Sequence, residues 1–342
     1  ELEMCETTFF DEPSVSSCAQ RFLDDDSLIS VITGSVFPIE SFYEAVNDRV
    51  PVVVPFHAGA FQMVSGERPG PFVLGVDSQA IMADLVQAAR FVDPGATTIV
   101  YLASVLSQWQ PQLQALVPGT QVITIDLPVG DPPSPAQLAD LLRTTQGALD
   151  ADVVIAGGPS CIDSYDALEI AGIEPFVVAS DGCILDPSTQ SGFRSRGIDG
   201  PAPENWLMVA SGIDPTDPDA NGIALAAGEL KRFLDPTDLP HVWSDGYGFG
   251  APLALAKVIN AIGPDATPEE VRAGLVSFNS LVIGQYGPIA CGASAPLGTV
   301  EPAACAQYMG AFRVVDGVWT AVANGTNGKL LGPAGLVDVS AS

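Results

Sequence analysis

Basic side chains are scarce in this sequence. Its 342 residues include 13 Lys and Arg against 41 Asp and Glu, and the formal net charge is −28. A chain this acidic repels phosphate backbones, which argues against nucleic-acid binding through a basic surface. Charged residues are nevertheless only 16% of the chain and hydrophobic residues 47%. That balance excludes an acidic disordered protein.

Long hydrophobic runs and catalytic motifs are also missing. No run of about eighteen apolar residues is free of Pro, Gly or charge, so no membrane span is predicted. The chain has two histidines and lacks a G-x-S-x-G nucleophile elbow, an H-E-x-x-H zinc helix and a Walker phosphate loop. Without a recognisable reactive dyad, the sequence predicts no enzymatic activity, no cofactor and no metal site.

The cysteines indicate a compartment. Their number is even, and they form three local couples: Cys5 with Cys18, Cys161 with Cys183, and Cys291 with Cys305. None has the C-x-x-C spacing, and the couples fit three short-range disulfides in an oxidising space. Six buried free thiols in a cytosolic protein are the alternative. Because the chain opens at Glu1 without a signal peptide, we expect that a leader was removed or that the chain is trimmed.

Strand and helix patterns alternate along most of the chain. Capping residues at Ser134 and Thr267 predict helix starts, and Asp316-Gly317 predicts a hairpin. The predicted strands are short β-branched runs: Leu28–Thr33, Val50–Val54, Thr98–Ala103, Gln121–Ile125, Asp152–Ala156, Pro175–Ala179 and Leu207–Ala210. This alternation predicts an α/β fold with doubly wound parallel sheets.

Ligands in open α/β sheets bind beyond the carboxyl ends of the strands. The segments that follow the predicted strands carry hydroxyl groups, aromatic rings, glycines and one isolated carboxylate, Asp181. Such a set suits a small polar or zwitterionic molecule better than a reaction. Lys and Arg are absent from these segments, which disfavours an anionic ligand.

The order of the motifs resembles the substrate-binding proteins of branched-chain amino acid ABC transporters, the type I periplasmic binding proteins. The resemblance covers nearly the whole chain, and its soft motifs are Met4–Thr7, Val31–Ser35, Tyr43–Val46 before Val50–Pro55, Asp181-Gly182, Ser244–Tyr247 and Thr267–Leu275. It implies two doubly wound, Rossmann-like lobes joined by a hinge. Lobe 1 would comprise 1–76 and 212–288, lobe 2 would comprise 77–211 and 289–330, and 331–342 would be a tail.

The resemblance also implies ligand-binding residues. Ser35 would receive a ligand carboxylate, and Asp181 would hold an ammonium group. The other residues at ligand-binding positions are Phe37, Phe56, His57, Ala58, Ser107, Trp109, Pro159 and Ser160. Family members begin with one more strand and helix than this chain. Either the chain is incomplete or another segment or molecule fills this gap. We favour the first and expect lobe 1 to be incomplete at its N-terminus and to be the less stable half.

The implied function is extracytoplasmic solute binding. The protein would capture an amino acid or amide-like ligand between the lobes and deliver it to an ABC permease. It would lie in the periplasm or at the cell surface, with a lipid anchor in a missing N-terminal segment as one option. The alternative is a ligand-sensing domain of a receptor or regulator on the same fold.

Overall fold

The chain forms two compact units in the computed structural model. The structure describes residues 3–7, 11–33, 42, 45–46, 49–54, 72–73, 78–103, 110–128, 133–157, 161–184, 187–210, 242–281, 288–290, 303–304 and 310–321. Unit 1 comprises Glu1–Ala80, Pro218–Tyr308 and Asp338–Ser342, and unit 2 comprises Ile81–Asp217 and Met309–Val337.

Strands and helices alternate through most of the described chain. The strands are β1 (Val31–Ile32), β2 (Val52–Val54), β3 (Phe72–Val73), β4 (Thr98–Ala103), β5 (Gln121–Asp126), β6 (Val153–Ala156), β7 (Phe176–Ser180), β8 (Trp206–Ala210), β9 (Asn279–Leu281), β10 (Pro288–Ala290), β11 (Ala303–Ala304), β12 (Gly310–Val315) and β13 (Val318–Ala321). The helices are α1 (Glu12–Leu23), α2 (Ser78–Val92), α3 (Gln110–Leu116), α4 (Pro135–Thr144), α5 (Cys161–Ala171), α6 (Asp181–Ile184), α7 (Pro187–Ser195), α8 (Val242–Ile262) and α9 (Pro268–Val276). The predicted α/β class is confirmed.

Unit 2 is built on a sheet with the strand order β13-β12-β8-β7-β6-β4-β5. The five strands from β8 to β5 are parallel, and β12 and β13 extend the sheet as an antiparallel hairpin. All four residues of β6 are buried. Continuous burial is typical of a parallel strand covered on both faces, which is why such strands read as apolar runs in the sequence.

The hairpin predicted at Asp316-Gly317 is confirmed. Val315 pairs with Val318 across a two-residue turn. Both turn residues have positive φ, 51° for Asp316 and 76° for Gly317. Positive φ at both positions matches the right-handed twist of the flanking strands, so this turn closes the hairpin without splaying it.

The two predicted capping boxes are also confirmed. The Ser134 side chain accepts a hydrogen bond from the Gln137 N–H, and the Gln137 side chain accepts one from the Ser134 N–H. Thr267 and Glu270 repeat the arrangement at the start of α9. In each case two N–H groups that the helix itself leaves unpaired are satisfied by the side chains.

A cluster of three aromatic rings packs helices α5 and α7 against the sheet of unit 2. Phe193 of α7 contacts the ring of Trp206 edge-on at 5.3 Å and that of Tyr165 of α5 at 5.8 Å, measured between ring centroids. Arg196, just beyond α7, donates from Nε to Asp166 Oδ1 of α5 at 2.6 Å. These contacts fix α5 against α7 along its middle turns.

Unit 1 contains a parallel sheet with the order β1-β2-β3-β11. Helix α1 buries Val15, Cys18, Ala19 and Phe22 in a core with the residues of β1 and β2. The segment 303–304, which the sequence analysis assigns to lobe 2, pairs with β3 and so belongs to this sheet. The other predicted lobe boundaries stay predictions. No helix in the described part of the chain is long and apolar enough to cross a membrane.

Candidate functional site

The sheet of unit 2 reverses its strand order at one place. From β4 the chain moves outward to β5, then returns to the other side of β4 and continues through β6, β7 and β8 in the opposite direction. By the right-handed crossover rule, the helices that follow β4 and β6 leave the sheet on opposite faces, so a ligand-binding crevice is expected beyond the carboxyl ends of these two strands. This crevice is the candidate site of unit 2.

Gly157 follows β6 at the edge of that crevice. Its N–H donates to the Leu102 carbonyl oxygen at 2.9 Å, which continues the pairing of β6 with β4. A Cβ at this position would lie 2.6 Å from Cε2 of Tyr101 and 3.3 Å from Cβ of Ala103. Glycine is therefore favoured here by close approach, because any larger residue would force the ring of Tyr101 or the strand to shift.

Tyr101 is a residue that the sequence analysis missed. It lies in the middle of β4 and is 1% exposed. Burial raises the pKa of its hydroxyl above the ordinary value, so the group stays protonated and can donate a hydrogen bond. The only sequence signal was a tyrosine inside a run of aliphatic residues, since a buried phenol usually finds a polar partner.

Asp181 is the first residue of α6 and follows β7 directly. This placement at the carboxyl end of a central strand agrees with its predicted position, and its ligand contact stays a prediction. Ser107 and Trp109 follow β4, and Pro159 and Ser160 follow β6, but all four lie outside the described residues.

The predicted ligand residues of unit 1 lie outside the described residues as well. They follow β1 and β2 in the sequence and comprise Ser35, Phe37, Phe56, His57 and Ala58. Thr33, which directly precedes this part of the chain, donates its N–H to the Val53 carbonyl oxygen at 3.0 Å. Its side-chain hydroxyl is buried and finds no hydrogen-bond partner among the described residues.

Two of the three predicted disulfides are confirmed. Cys5 is bonded to Cys18 of α1, and Cys161 of α5 is bonded to Cys183 of α6. The third couple, Cys291 and Cys305, lies outside the described residues. The alternative of six free thiols is therefore wrong.

Two charged groups in unit 2 with shifted pKa values, Asp152 and Arg196, have structural partners. Asp152 lies at the amino end of β6, away from the crevice, and the N–H of Thr97 lowers the pKa of its carboxyl, aided by the N–H of Thr98 and the Thr97 hydroxyl. A hydrogen bond to Asp166 raises the pKa of Arg196 on the outer helices. Among the described residues, no three His, Cys, Asp or Glu side chains are grouped so that they could hold a metal ion.

The described carboxyl ends of the parallel strands in unit 2 carry no Lys or Arg. Their terminal residues are Ala103, Asp126, Ala156, Ser180 and Ala210. These ends present backbone groups, one hydroxyl and one carboxylate. Such a surface favours a neutral or ammonium-bearing ligand over an anion, because an anion would find no compensating charge there.

Comparison with known proteins identifies the fold. No protein-family model matches the chain, and no curated protein matches it in sequence. The chain is similar to the solved structure of a leucine-binding protein LivK from Thermotoga maritima, with 14% identity, 92% of this chain and 84% of that chain covered, and a TM-score of 0.59. It is also similar to a branched-chain amino acid ABC transporter protein from Thermus thermophilus with bound valine, with 12% identity, coverage of 94% and 83%, and a TM-score of 0.65.

A third similar structure is an extracellular ligand-binding receptor from Rhodopseudomonas palustris, with 17% identity, coverage of 92% and 87%, and a TM-score of 0.64. At these identities the comparisons show the fold. It is that of the type I periplasmic binding proteins, as the sequence resemblance implies.

Proposed function

We propose that this chain, which has the type I periplasmic binding fold, is a solute-binding protein for small zwitterionic or polar molecules of amino-acid type. The observation that carries the proposal is the reversal of strand order between β4 and β6, with Gly157 and the buried Tyr101 at its edge. In open α/β sheets this is where ligands bind. The similar structures named for leucine and for bound valine support the same class of ligand.

The chemistry of the strand ends narrows the ligand. The fold alone does not select an amino acid, because another similar structure is a fatty acid ABC transporter substrate-binding protein from Thermomonospora curvata. A fatty acid carries a carboxylate without an ammonium group, whereas the described strand ends of unit 2 lack cations and Asp181 follows β7. An ammonium-bearing ligand therefore fits this chain better than an anionic one.

A binding role fits the described ionisable groups better than catalysis does. The shifted carboxyl of Asp152 and the shifted guanidinium of Arg196 are engaged in contacts that hold strands and helices together. The pKa of Tyr101 on β4 is raised by burial alone, and burial is also the main cause of the raised pKa of Tyr165 on α5. Catalysis usually needs two titratable groups whose environments move their pKa values apart.

The proposed location is outside the cytoplasm. Two confirmed disulfides support it, since such bonds persist in oxidising compartments and are rare in the cytosol. Delivery to an ABC permease is proposed because the similar structures include ABC transporter binding proteins. Co-purification of the loaded protein with membranes that contain a candidate permease tests the delivery step.

Ligand binding is tested first by thermal shift with L-leucine, L-isoleucine, L-valine and, as an anion without an ammonium group, octanoate. Calorimetry then compares Asp181→Ala with the wild-type protein. Asp150→Ala is the matched control, because Asp150 is an exposed carboxylate that precedes β6 at the opposite end of the strand. We expect one of the amino acids to bind the wild type and Asp150→Ala alike, and to bind Asp181→Ala at least tenfold more weakly.

Equal affinity of Asp181→Ala and the wild type would overturn the role of Asp181. Binding of octanoate in preference to all three amino acids would overturn the ligand class. Ser35→Ala in the same assay tests the predicted carboxylate contact of unit 1.

A further inference from the structure

The disulfide Cys161–Cys183 joins two structural elements that follow neighbouring strands. β6 and β7 are parallel partners, with Ala156 opposite Ala179 near their carboxyl ends. Cys161 is the first residue of α5, after β6, and Cys183 lies in α6, directly after β7. Their Cα atoms are 5.5 Å apart. The bond therefore spans the carboxyl edge of the sheet beside the crevice.

Helix α6 has little stability of its own. It contains the four residues Asp181–Ile184. Forming a single helical turn costs backbone entropy and gains almost no hydrogen bonds, so such a helix is stable only when other contacts hold it. Asp181, the predicted ammonium-binding residue, begins this helix. Its position therefore depends on what anchors α6.

Helix α5 can serve as an anchor in addition to the fully buried Ile184 side chain of α6 itself. It has 11 residues, and Asp166 and Tyr165 in its middle turns contact Arg196 and Phe193. In its first turn the contacts differ. Cys161 is fully buried and bonded to Cys183, while the buried Ser164 hydroxyl finds no hydrogen-bond partner among the described residues. The disulfide thus couples α6 to the end of α5 that faces the crevice.

We propose that the Cys161–Cys183 disulfide is a positioning element of the ligand site: it holds α6, and with it Asp181, at a fixed distance from the first turn of α5 beside Gly157. Binding in unit 2 then depends on the bond being oxidised. The inference rests on the proposed function and names a further determinant of the same site. The physical effect is preorganisation, because a segment ordered before binding loses less entropy when the ligand arrives.

Removal of the bond tests the proposal in the full chain. The variant Cys161→Ala/Cys183→Ala is compared with Cys5→Ala/Cys18→Ala, which removes a disulfide that joins α1 to the N-terminal segment of unit 1. Calorimetry with L-leucine, L-isoleucine and L-valine measures affinity, and hydrogen exchange without ligand measures the protection of α6 and of the first turn of α5. We expect the first variant to bind about tenfold more weakly, a loss of about 1.4 kcal/mol. We expect faster exchange in α6 while β6 and β7 stay protected.

The Cys5→Ala/Cys18→Ala variant should keep its affinity within about twofold. Unchanged affinity and unchanged exchange in the Cys161→Ala/Cys183→Ala variant would overturn the proposal. Loss of protection throughout β6 and β7 would overturn it as well, since the bond would then support the whole unit. If the wild type binds none of the three amino acids, the proposed ligand class fails, and the exchange of α6 without ligand alone decides whether the bond positions this helix.

Discussion

Replacing Gly157 by alanine puts a methyl group where the ring of Tyr101 already lies. The added Cβ would be 2.6 Å from Cε2 of that ring, and 3.3 Å from both the Leu102 carbonyl oxygen and Cβ of Ala103. Favourable contacts between carbon atoms lie at about 3.5–4.0 Å, so the ring or the strand must move. Tyr101 is 1% exposed, and a ring in a close-packed interior has no free space to enter.

The expected cost follows from two opposing effects. Gly157 itself is exposed, but its added methyl group would press on the packed ring of Tyr101, and overpacking of this kind costs about 1–3 kcal/mol. Alanine also has fewer backbone conformations than glycine in the unfolded chain. Where alanine can adopt the native backbone conformation, this stabilises the folded state by about 0.4–1 kcal/mol and offsets part of the cost. The difference spans about 0–2.6 kcal/mol. Because the added Cβ would lie only 2.6 Å from the ring, we expect Gly157→Ala to lower the free energy of unfolding of unit 2 by about 1–2 kcal/mol, above the lower end of that range.

Urea unfolding followed by tryptophan fluorescence measures this loss, because Trp206 is buried in the sheet of unit 2. Gly95→Ala is the reference substitution. There the added Cβ would meet only the Asp93 carboxylate at 3.3 Å in an exposed turn, and we expect a change below about 0.5 kcal/mol.

A double-mutant cycle with Tyr101→Leu isolates the contact. Leucine lacks the ring atom that the added methyl group would meet. The two substitutions together should therefore lower the free energy of unfolding by at least about 1 kcal/mol less than the sum of their separate effects. A Gly157→Ala protein within about 0.5 kcal/mol of the wild type, or a cycle without coupling, would refute the steric account of this position.

Three further predictions concern electrostatics. Asp152→Asn should lower stability at pH 7 by about 1 kcal/mol, because Asp152 Oδ2 accepts the N–H groups of Thr97 and Thr98 at 2.7 and 3.0 Å. These hydrogen bonds hold the pKa of Asp152 below its ordinary value. Their contribution to stability is therefore complete at pH values above the ordinary pKa and is lost as the pH falls through the lower pKa of the folded state. Urea unfolding at pH 7 and pH 3 should show that the stability difference between Asp152→Asn and the wild type becomes smaller at pH 3. Arg196→Lys should cost about 0.5–1 kcal/mol by replacing the two-pronged contact with Asp166 by a point contact, measured in the same assay. Raising NaCl from about 0.05 to 1 M should raise the melting temperature, because salt screens the repulsion within a chain of net charge −28.

Each of these expectations has a contrary result. A gap between Asp152→Asn and the wild type that widens at pH 3 would contradict the sign worked out for this carboxyl. Arg196→Lys indistinguishable from the wild type would mean that the planar contact adds nothing to the packing of α5 on α7. A melting temperature that falls with added NaCl would show that attractive ion pairs outweigh the net repulsion.

Much of unit 2 was predictable from sequence because its signals are local. The run Val153–Ala156 is apolar because a central parallel strand is covered on both faces. The capping box at Ser134 depends only on this residue and on the three that follow it in the sequence. The turn at Asp316-Gly317 is fixed by the φ angles that these two residues tolerate. Such features need no knowledge of distant residues.

The disulfide pairing of the cysteines was only partly predictable from the sequence. Short separation made the pairing of Cys161 with Cys183 the natural expectation, yet sequence alone left six free thiols open. Only the parallel pairing of β6 with β7 brings the starts of α5 and α6 side by side, and so decides that the bond can form. The same pairing makes the bond a neighbour of the candidate site.

The sequence by itself determined the acidic composition, the α/β alternation, the helix starts and the placement of Asp181 after a strand, since each depends on residue types and short spacings. Tertiary structure alone decided that β6 lies beside β4 with β5 on its other side, which creates the crevice. It alone decided that the ring of Tyr101, a residue 56 positions earlier in the chain (157 − 101), takes the space that a side chain at position 157 would occupy. Both depend on which strands pair, and strand pairing is set by burial summed over the whole sheet and not by any short stretch of sequence.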